Sequence, residues 1–225
     1  MSAEQARSFE RAAQEYERGR PGWPPEVLDL GAGTGKLTRV LAARYRRVLA
    51  LEPLDELRAI LAERVPRAEV LAGVAEAIPI ADASVDAVFA GQAFHWFAND
   101  TAAAEIARVL RPGGVLAILW NESVDPSPLP EAYERRLEEL RGENPWPEIN
   151  PRFFDGKPFG ERHEAAVEHE QVSNRDDCLA FAASVSWVAS RDDRDEVLAE
   201  LASLLPEGDY AFRMRANLEW AFRDV

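Results

Sequence analysis

Apolar positions along this chain follow two spacings. Continuous short runs at Val27 to Leu30, Val48 to Leu51, Val70 to Ala72, Val85 to Ala90 and Val115 to Trp120 predict buried strands. Between them the spacing becomes helical: Leu37, Val40, Leu41 and Tyr45 follow the first run, and Leu54, Leu57, Ile60, Leu61 and Val65 follow the second. Ile106, Val109 and Leu110 mark a helix over about 100–110, which stops at Arg111-Pro112-Gly113-Gly114 because proline and glycine do not continue a helix. Strands alternating with helices at this pitch predict a parallel sheet covered on both faces.

The flanks follow a looser pattern. Residues 3–18 predict an amphipathic helix carrying Ala6, Phe9, Ala13 and Tyr16, followed by the stiff segment Gly19 to Pro25. After Trp120, a helix is marked by Leu129, Tyr133, Leu137 and Leu140, and a loop rich in proline, asparagine and aromatic residues follows it. Ala165, Val167 and His169 alternate with Glu164, Glu168 and Glu170, predicting a strand with one wet face. Two helical stretches, about 176–185 and 193–205, precede a last strand over Tyr210 to Trp220. With no internal repeat or low-complexity linker, the 225 residues are expected to form one domain with a substantial core.

Composition narrows the function classes. The net charge is −14, only two lysines occur (Lys36 and Lys157), and arginines are interspersed with acids, so a nucleic-acid substrate is disfavoured. No apolar run approaches bilayer-spanning length, and the polar N-terminus lacks the form of a signal peptide. The lone Cys178 excludes an intramolecular disulfide and a cysteine-rich metal site. These features together predict a cytoplasmic protein with no membrane or nucleic-acid partner.

The chemistry concentrates at Asp29-Leu30-Gly31-Ala32-Gly33-Thr34-Gly35-Lys36, where the first strand enters three alternating glycines and then a helix. Such a turn builds a cofactor crevice in an open α/β sheet. The register is not G-x-G-x-x-G, since Lys36 stands where the third dinucleotide glycine would fall. A carboxylate two residues before the first glycine suits a cationic ligand better than a pyrophosphate. Glu52, ending the second strand about 20 residues beyond the turn, lies where an acid can accept hydrogen bonds from ribose hydroxyls.

These residues, with Gly73-Val74-Ala75-Glu76-Ala77-Ile78-Pro79 after the third strand and Arg108 to Leu116 leading into the fifth, resemble the class I S-adenosylmethionine-dependent methyltransferases. The run Gln92-Ala93-Phe94-His95-Trp96-Phe97 is similar to a small-molecule branch, akin to the type 11 methyltransferase domain. The resemblance implies a Rossmann-like, doubly wound, mostly parallel seven-stranded sheet with an antiparallel last strand, in three α/β/α layers. It also implies S-adenosylmethionine as cofactor, S-adenosylhomocysteine as product, no metal, and methyl transfer to a small molecule.

Cofactor contacts are implied at Asp29, Gly31, Ala32, Gly33, Thr34, Gly35, Glu52, Pro53, Gly73, Val74, Ala75, Glu76 and Gln92. His95 is a candidate general base, with a positioning or packing role the commoner fate of a single histidine. Substrate candidates are Tyr16, Arg20, Trp23, Phe94, Trp96, Trp120, Asn121 and Trp146. Residues 1–26 would form a lid segment, 27–120 the cofactor-binding core and 121–225 the substrate side. Pro25-Glu26 abuts Val27 where relatives carry a helix, so one sheet face near the turn is expected to be thinly covered. A competing class is a non-catalytic protein that binds the cofactor as a regulator or ligand sensor; a monomer and a homodimer both fit.

Overall fold

The structure is a computed structural model and describes residues 25–124, 126–143 and 153–224. The helix expected over 3–18, together with Tyr16, Arg20, Trp23 and Trp146, lies outside the described residues.

Seven strands form one sheet in the order β3-β2-β1-β4-β5-β7-β6. The first half comprises β1 (Glu26–Leu30), α1 (Lys36–Ala42), β2 (Arg47–Glu52), α2 (Asp55–Arg64), β3 (Glu69–Ala72) and β4 (Val85–Gly91). It continues through a 3-10 turn (Phe94–Trp96) to α3 (Asp100–Val109) and β5 (Leu110–Ser123). The second half adds α4 (Glu131–Arg141), β6 (His163–Asn174), α5 (Arg175–Ser184), α6 (Ser186–Ala189), α7 (Arg194–Leu204) and β7 (Asp209–Phe222). Strands β3, β2, β1, β4 and β5 are parallel, while β7 runs antiparallel to both β5 and β6.

Three apolar clusters hold the layers together. On one face α1 and α2 bring Leu41, Ala42, Leu61 and Val65 onto Val27, Val48, Ala50 and Ala87. Val27 and Ala50 are completely buried there, whereas Phe89 and Val115 on the same face are only partly buried. On the other face α3, an alanine-rich helix, lays Ala102, Ala103 and Ile106 on Leu28, Leu30 and Val88, with Phe153, Phe154 and Phe159 extending that cluster. A third cluster joins α4 to α7 over Tyr210 and Phe212 of β7.

Two elements differ from the sequence pattern. β5 starts at Leu110 rather than Val115, because Arg111 to Gly114 form a bulge between the pairings Val85 to Leu110 and Ala87 to Val115. Gly113 takes the positive φ of 75° that the bulge requires. The alternation in β6 does not produce one dry face either, since Val167 and Val172 are 65% and 59% exposed. As an edge strand, β6 pairs with β7 alone among the described strands.

The β3–β4 connection contains no helix, and Arg108 of α3 holds it in place. Its guanidinium donates to the Ile78 carbonyl (2.8 Å), the Ile80 carbonyl (2.9 Å) and Asp82 (2.7 Å), and pairs with Glu105 (2.7 Å). The Glu105 carboxylate in turn accepts from the Ile78 amide at 2.9 Å, and Arg108 holds its carboxyl below the ordinary range. Replacing Arg108 by alanine is expected to lower stability by about 1.5–3 kcal/mol, the size of hydrogen bonds to a charged group. The expected signature is faster amide exchange at Ile78 and Ile80 and a lower denaturation midpoint; unchanged protection would contradict the clamp.

Candidate functional site

The strand order changes direction beside β1, whose chain neighbour β2 lies on one side and β4 on the other. In open α/β sheets, ligands bind outside the carboxyl ends of the strands at this switch point. The glycine turn leaves β1 there. Gly31 and Ala32 both donate to the Leu51 carbonyl (2.9 and 3.0 Å), tying the turn to β2, and Gly35 donates back to Ala32 (2.9 Å).

The three glycines serve different ends. A Cβ on Gly35 would lie 2.4 Å from Leu61 Cδ1 and 3.1 Å from Val65 Cγ2, so this position is needed for helix packing. A Cβ on Gly31 would lie 2.7 Å from Ala93 Cβ, which places the segment after β4 directly against the turn. A Cβ on Gly33 would meet nothing within 4 Å among the described residues. All three have positive φ, between 56° and 85°, but only Gly33 faces open space.

Glu52 is 95% buried, and both carboxylate oxygens are engaged: Oε2 accepts from the Gly33 amide at 2.9 Å and Oε1 from the Leu54 amide at 3.0 Å. The acid thus joins the end of β2 to the tip of the glycine turn. The Gly33 donor, which would face a pyrophosphate in a dinucleotide site, is occupied by a carboxylate.

Asp29 lies beneath the turn rather than in the crevice. It is essentially fully buried and accepts from the Thr38 hydroxyl at 2.6 Å. Burial pushes its carboxyl up to about 6, against the Thr38 hydrogen bonds that oppose the rise, with the charge of Glu52 adding to it. An acid pKa raised from 3.8 means the folded protein holds this proton more tightly, so the contribution to stability is complete below pH 4 and lost as pH rises through 6. Asn in place of Asp29 keeps an acceptor for Thr38 and is expected to flatten that slope. Relative to wild type, it should recover about 3 kcal/mol at pH 7. Urea denaturation across pH 4–7 measures this, and parallel wild-type and variant curves would contradict it.

Beyond Glu52 and Ala72, which pair across β2 and β3, the chain places Leu54 and Val74 at the same sheet edge, 56% and 45% exposed. Gly73 packs below them, where a Cβ would lie 3.0 Å from Leu51 Cδ1. Ala75 is buried, and Glu76 accepts from Asn99 Nδ2 at 2.8 Å, while Asn99 caps α3 through the Ala102 amide (2.9 Å). Leu54 escapes the sequence reading because its spacing assigns it to the apolar stripe of α2. It precedes that helix with an extended backbone, and its side chain is left exposed. Asn99-Asp100 before the alanine run carries a recognisable N-cap signal; Thr38 and Arg108 carry no local signal of their contacts.

The segment after β4 turns sharply at Gln92, whose φ of 56° is uncommon outside glycine. Its amide donates to the Leu119 carbonyl (2.9 Å) and its Nε2 to the Asn121 carbonyl (3.0 Å), joining the ends of β4 and β5. Phe94 does not face the crevice. Its fully buried ring meets Phe153 edge-on at 4.5 Å and Phe97 at 5.5 Å in the core, because the 3-10 turn directs it inward. Trp96 points outward, 72% exposed, with the half-buried His95 ring 4.9 Å away. Burial lowers the His95 pKa below its ordinary value, leaving the imidazole uncharged at neutral pH. Trp120 packs half-buried against the core, and Asn121 is exposed. No cluster of metal-ligating side chains occurs among the described residues, and no described helix is long and apolar enough to cross a membrane.

The described residues fit an adenosyl ligand. Open space at Gly33, a buried carboxylate beside it and two exposed aliphatic side chains offer a close backbone approach, a hydroxyl acceptor and an apolar bracket. Strand order and turn together define the class I S-adenosylmethionine-dependent methyltransferase fold. The chain belongs to the methyltransferase family: residues 28–118 match the methyltransferase domain, and it is 47% identical to the uncharacterized methyltransferase Rv3342 of Mycobacterium tuberculosis. That match spans 196 residues, 82% of this chain and 76% of the relative. Over 100 residues it is 43% identical to the malonyl-[acyl-carrier protein] O-methyltransferase of Methylococcus capsulatus, covering 42% of this chain and 36% of that protein. Among solved structures, a putative type II methyltransferase from Anaeromyxobacter dehalogenans superposes with a TM-score of 0.61 at 26% identity, covering 88% of this chain and 89% of that one.

Proposed function

We propose that this protein transfers a methyl group from S-adenosylmethionine to a small-molecule acceptor by in-line displacement. The observation that carries this reading is the Glu52 carboxylate on the Gly33 amide. It supplies acceptors for ribose hydroxyls and makes the turn hostile to a pyrophosphate. When bound, the cofactor supplies an electrophilic methyl group whose leaving group is a neutral thioether.

The chain's own contribution is binding, alignment and exclusion of water. Glu52 would hold the ribose, Leu54 and Val74 would bracket the adenine, and Gln92 would face the methionine portion. Uncharged His95 can accept a proton or orient the acceptor, and Trp96, Trp120 and Asn121 would contribute to the acceptor side. Residues 1–26 act in this reading as a lid, 27–120 as the cofactor-binding core and 121–225 as the substrate side. The protein works in the cytoplasm. The malonyl-[acyl-carrier protein] relative makes an acidic or acyl acceptor a natural first choice to assay.

Calorimetry with S-adenosylhomocysteine and with NAD, followed by turnover of labelled S-adenosylmethionine in a metabolite extract, tests the proposal. The expected result is binding of S-adenosylhomocysteine and a labelled small molecule. Heat with NAD alone would overturn the cofactor assignment; cofactor binding without any product would identify a sensor instead of an enzyme.

A further inference from the structure

The sheet has a second charged region at its amino edge, away from the crevice. A chain of ion pairs runs along this edge from Glu69 to Arg47 (3.1 Å), Glu26 (2.9 Å), Arg111 (3.2 Å) and Asp86 (2.6 Å). It occupies the carboxylates of Glu26, Glu69 and Asp86. Beside it, Arg39, Arg44, Arg46, Arg64 and Arg67 are all exposed, and none has an acidic or hydrogen-bonding partner for its guanidinium among the described residues. Elsewhere among the described residues the guanidinium groups are engaged, including those of the exposed Arg135 and the half-buried Arg191 and Arg194.

Five unmatched arginines in one region of a chain with net charge −14 call for a cause. Helix C-termini favour cations, which explains Arg39 in the last turn of α1 and Arg64 in the last turn of α2. Arg44, Arg46 and Arg67 lie beyond those helix ends. Arg39, Arg64 and Arg67 also share a groove of about 240 Å³ between the two helix ends, floored by Ala42, Val65 and Pro66. The exposed Glu63 of α2 is not part of its wall.

We infer that this groove between the C-terminal ends of α1 and α2 binds a phosphate group, held by Arg39, Arg64 and Arg67. Guanidinium groups bind phosphate oxygens through paired, charge-assisted hydrogen bonds. The acidic remainder of the protein directs an anion to this one region by repelling it elsewhere. The phosphate could belong to a soluble phosphate ester or to a lipid headgroup, and both would meet the same three side chains.

The experiment has two arms, applied to the full chain, to the triple variant Arg39→Gln, Arg64→Gln, Arg67→Gln, and to a control carrying Arg135→Gln and Arg194→Gln. In the first, inorganic pyrophosphate is titrated calorimetrically. In the second, the protein is co-sedimented with phosphatidylglycerol vesicles and with phosphatidylcholine vesicles. The proposal expects wild type and control to bind pyrophosphate, phosphatidylglycerol or both, with at least about tenfold weaker binding in the triple variant. Pyrophosphate binding identifies a soluble ester; binding to phosphatidylglycerol alone identifies a headgroup. Binding to neither, equal binding by the triple variant, or equal loss in the control would overturn it. Retained S-adenosylhomocysteine binding and an unchanged thermal midpoint establish that the triple variant is folded.

Discussion

Replacing Glu52 by alanine should cost the protein its cofactor affinity while leaving most of its fold. The carboxylate holds the Gly33 and Leu54 amides at 2.9 and 3.0 Å, and its truncation leaves both donors without a partner at the crevice wall. A ligand would lose its acceptor and find the turn tip released. Each hydrogen bond to a charged group is worth about 1.5–3 kcal/mol, so S-adenosylhomocysteine affinity should fall by at least about 100-fold. Gln in place of Glu52 keeps one carbonyl acceptor but presents an amino group in place of the other, and should lose an intermediate amount. Calorimetry on the three proteins gives the order; equal affinities would remove Glu52 from the site.

The glycines allow binding and stability to be separated. Gly35→Ala drives a methyl group to 2.4 Å from Leu61 and imposes a φ of 85° on a residue with a Cβ. Overpacking at about 1–3 kcal/mol and left-handed strain at about 1–2 kcal/mol predict a loss of about 2–5 kcal/mol in unfolding free energy. Gly33→Ala carries only the strain, because its methyl group meets no atom of the described residues within 4 Å. It enters the space reserved for the ligand, so cofactor binding should fall sharply while stability falls only by that strain of about 1–2 kcal/mol. A stable Gly35→Ala protein, or a Gly33→Ala protein with full affinity, would contradict these assignments.

The parts legible in the sequence are those whose physics is local. Continuous apolar runs located β1, β2, β4 and the centre of β5, and their alternation with helical spacing implied the parallel order. The glycine turn was legible because its backbone requirements are written in three residues. Glu52 was identifiable by its register to that turn. Its grip on the Gly33 amide was not, since this contact spans 19 positions and depends on how β1 and β2 align. Arg108 stands in the run leading into β5, yet its side chain reaches back 26 to 30 positions to the β3–β4 loop. Phe94 and Trp96 looked equivalent in the run Phe94-His95-Trp96; the 3-10 turn sends one inward and the other out. Asp29 showed its charge but not its burial, because Thr38 covers it from the next helix.

The position of β7 has a consequence for the order in which the sheet is completed. β6 is made before β7 but has no other neighbour in the sheet, and β7 must slide between β5 and β6 and pair with both. During synthesis, β1 to β5 can assemble as soon as β5 emerges, whereas β6 waits through α5, α6 and α7 with both edges unpaired. Its glutamates at 164, 168 and 170 then act as chaperoning charges, deterring a nascent β6 from joining its counterpart on another chain before β7 arrives.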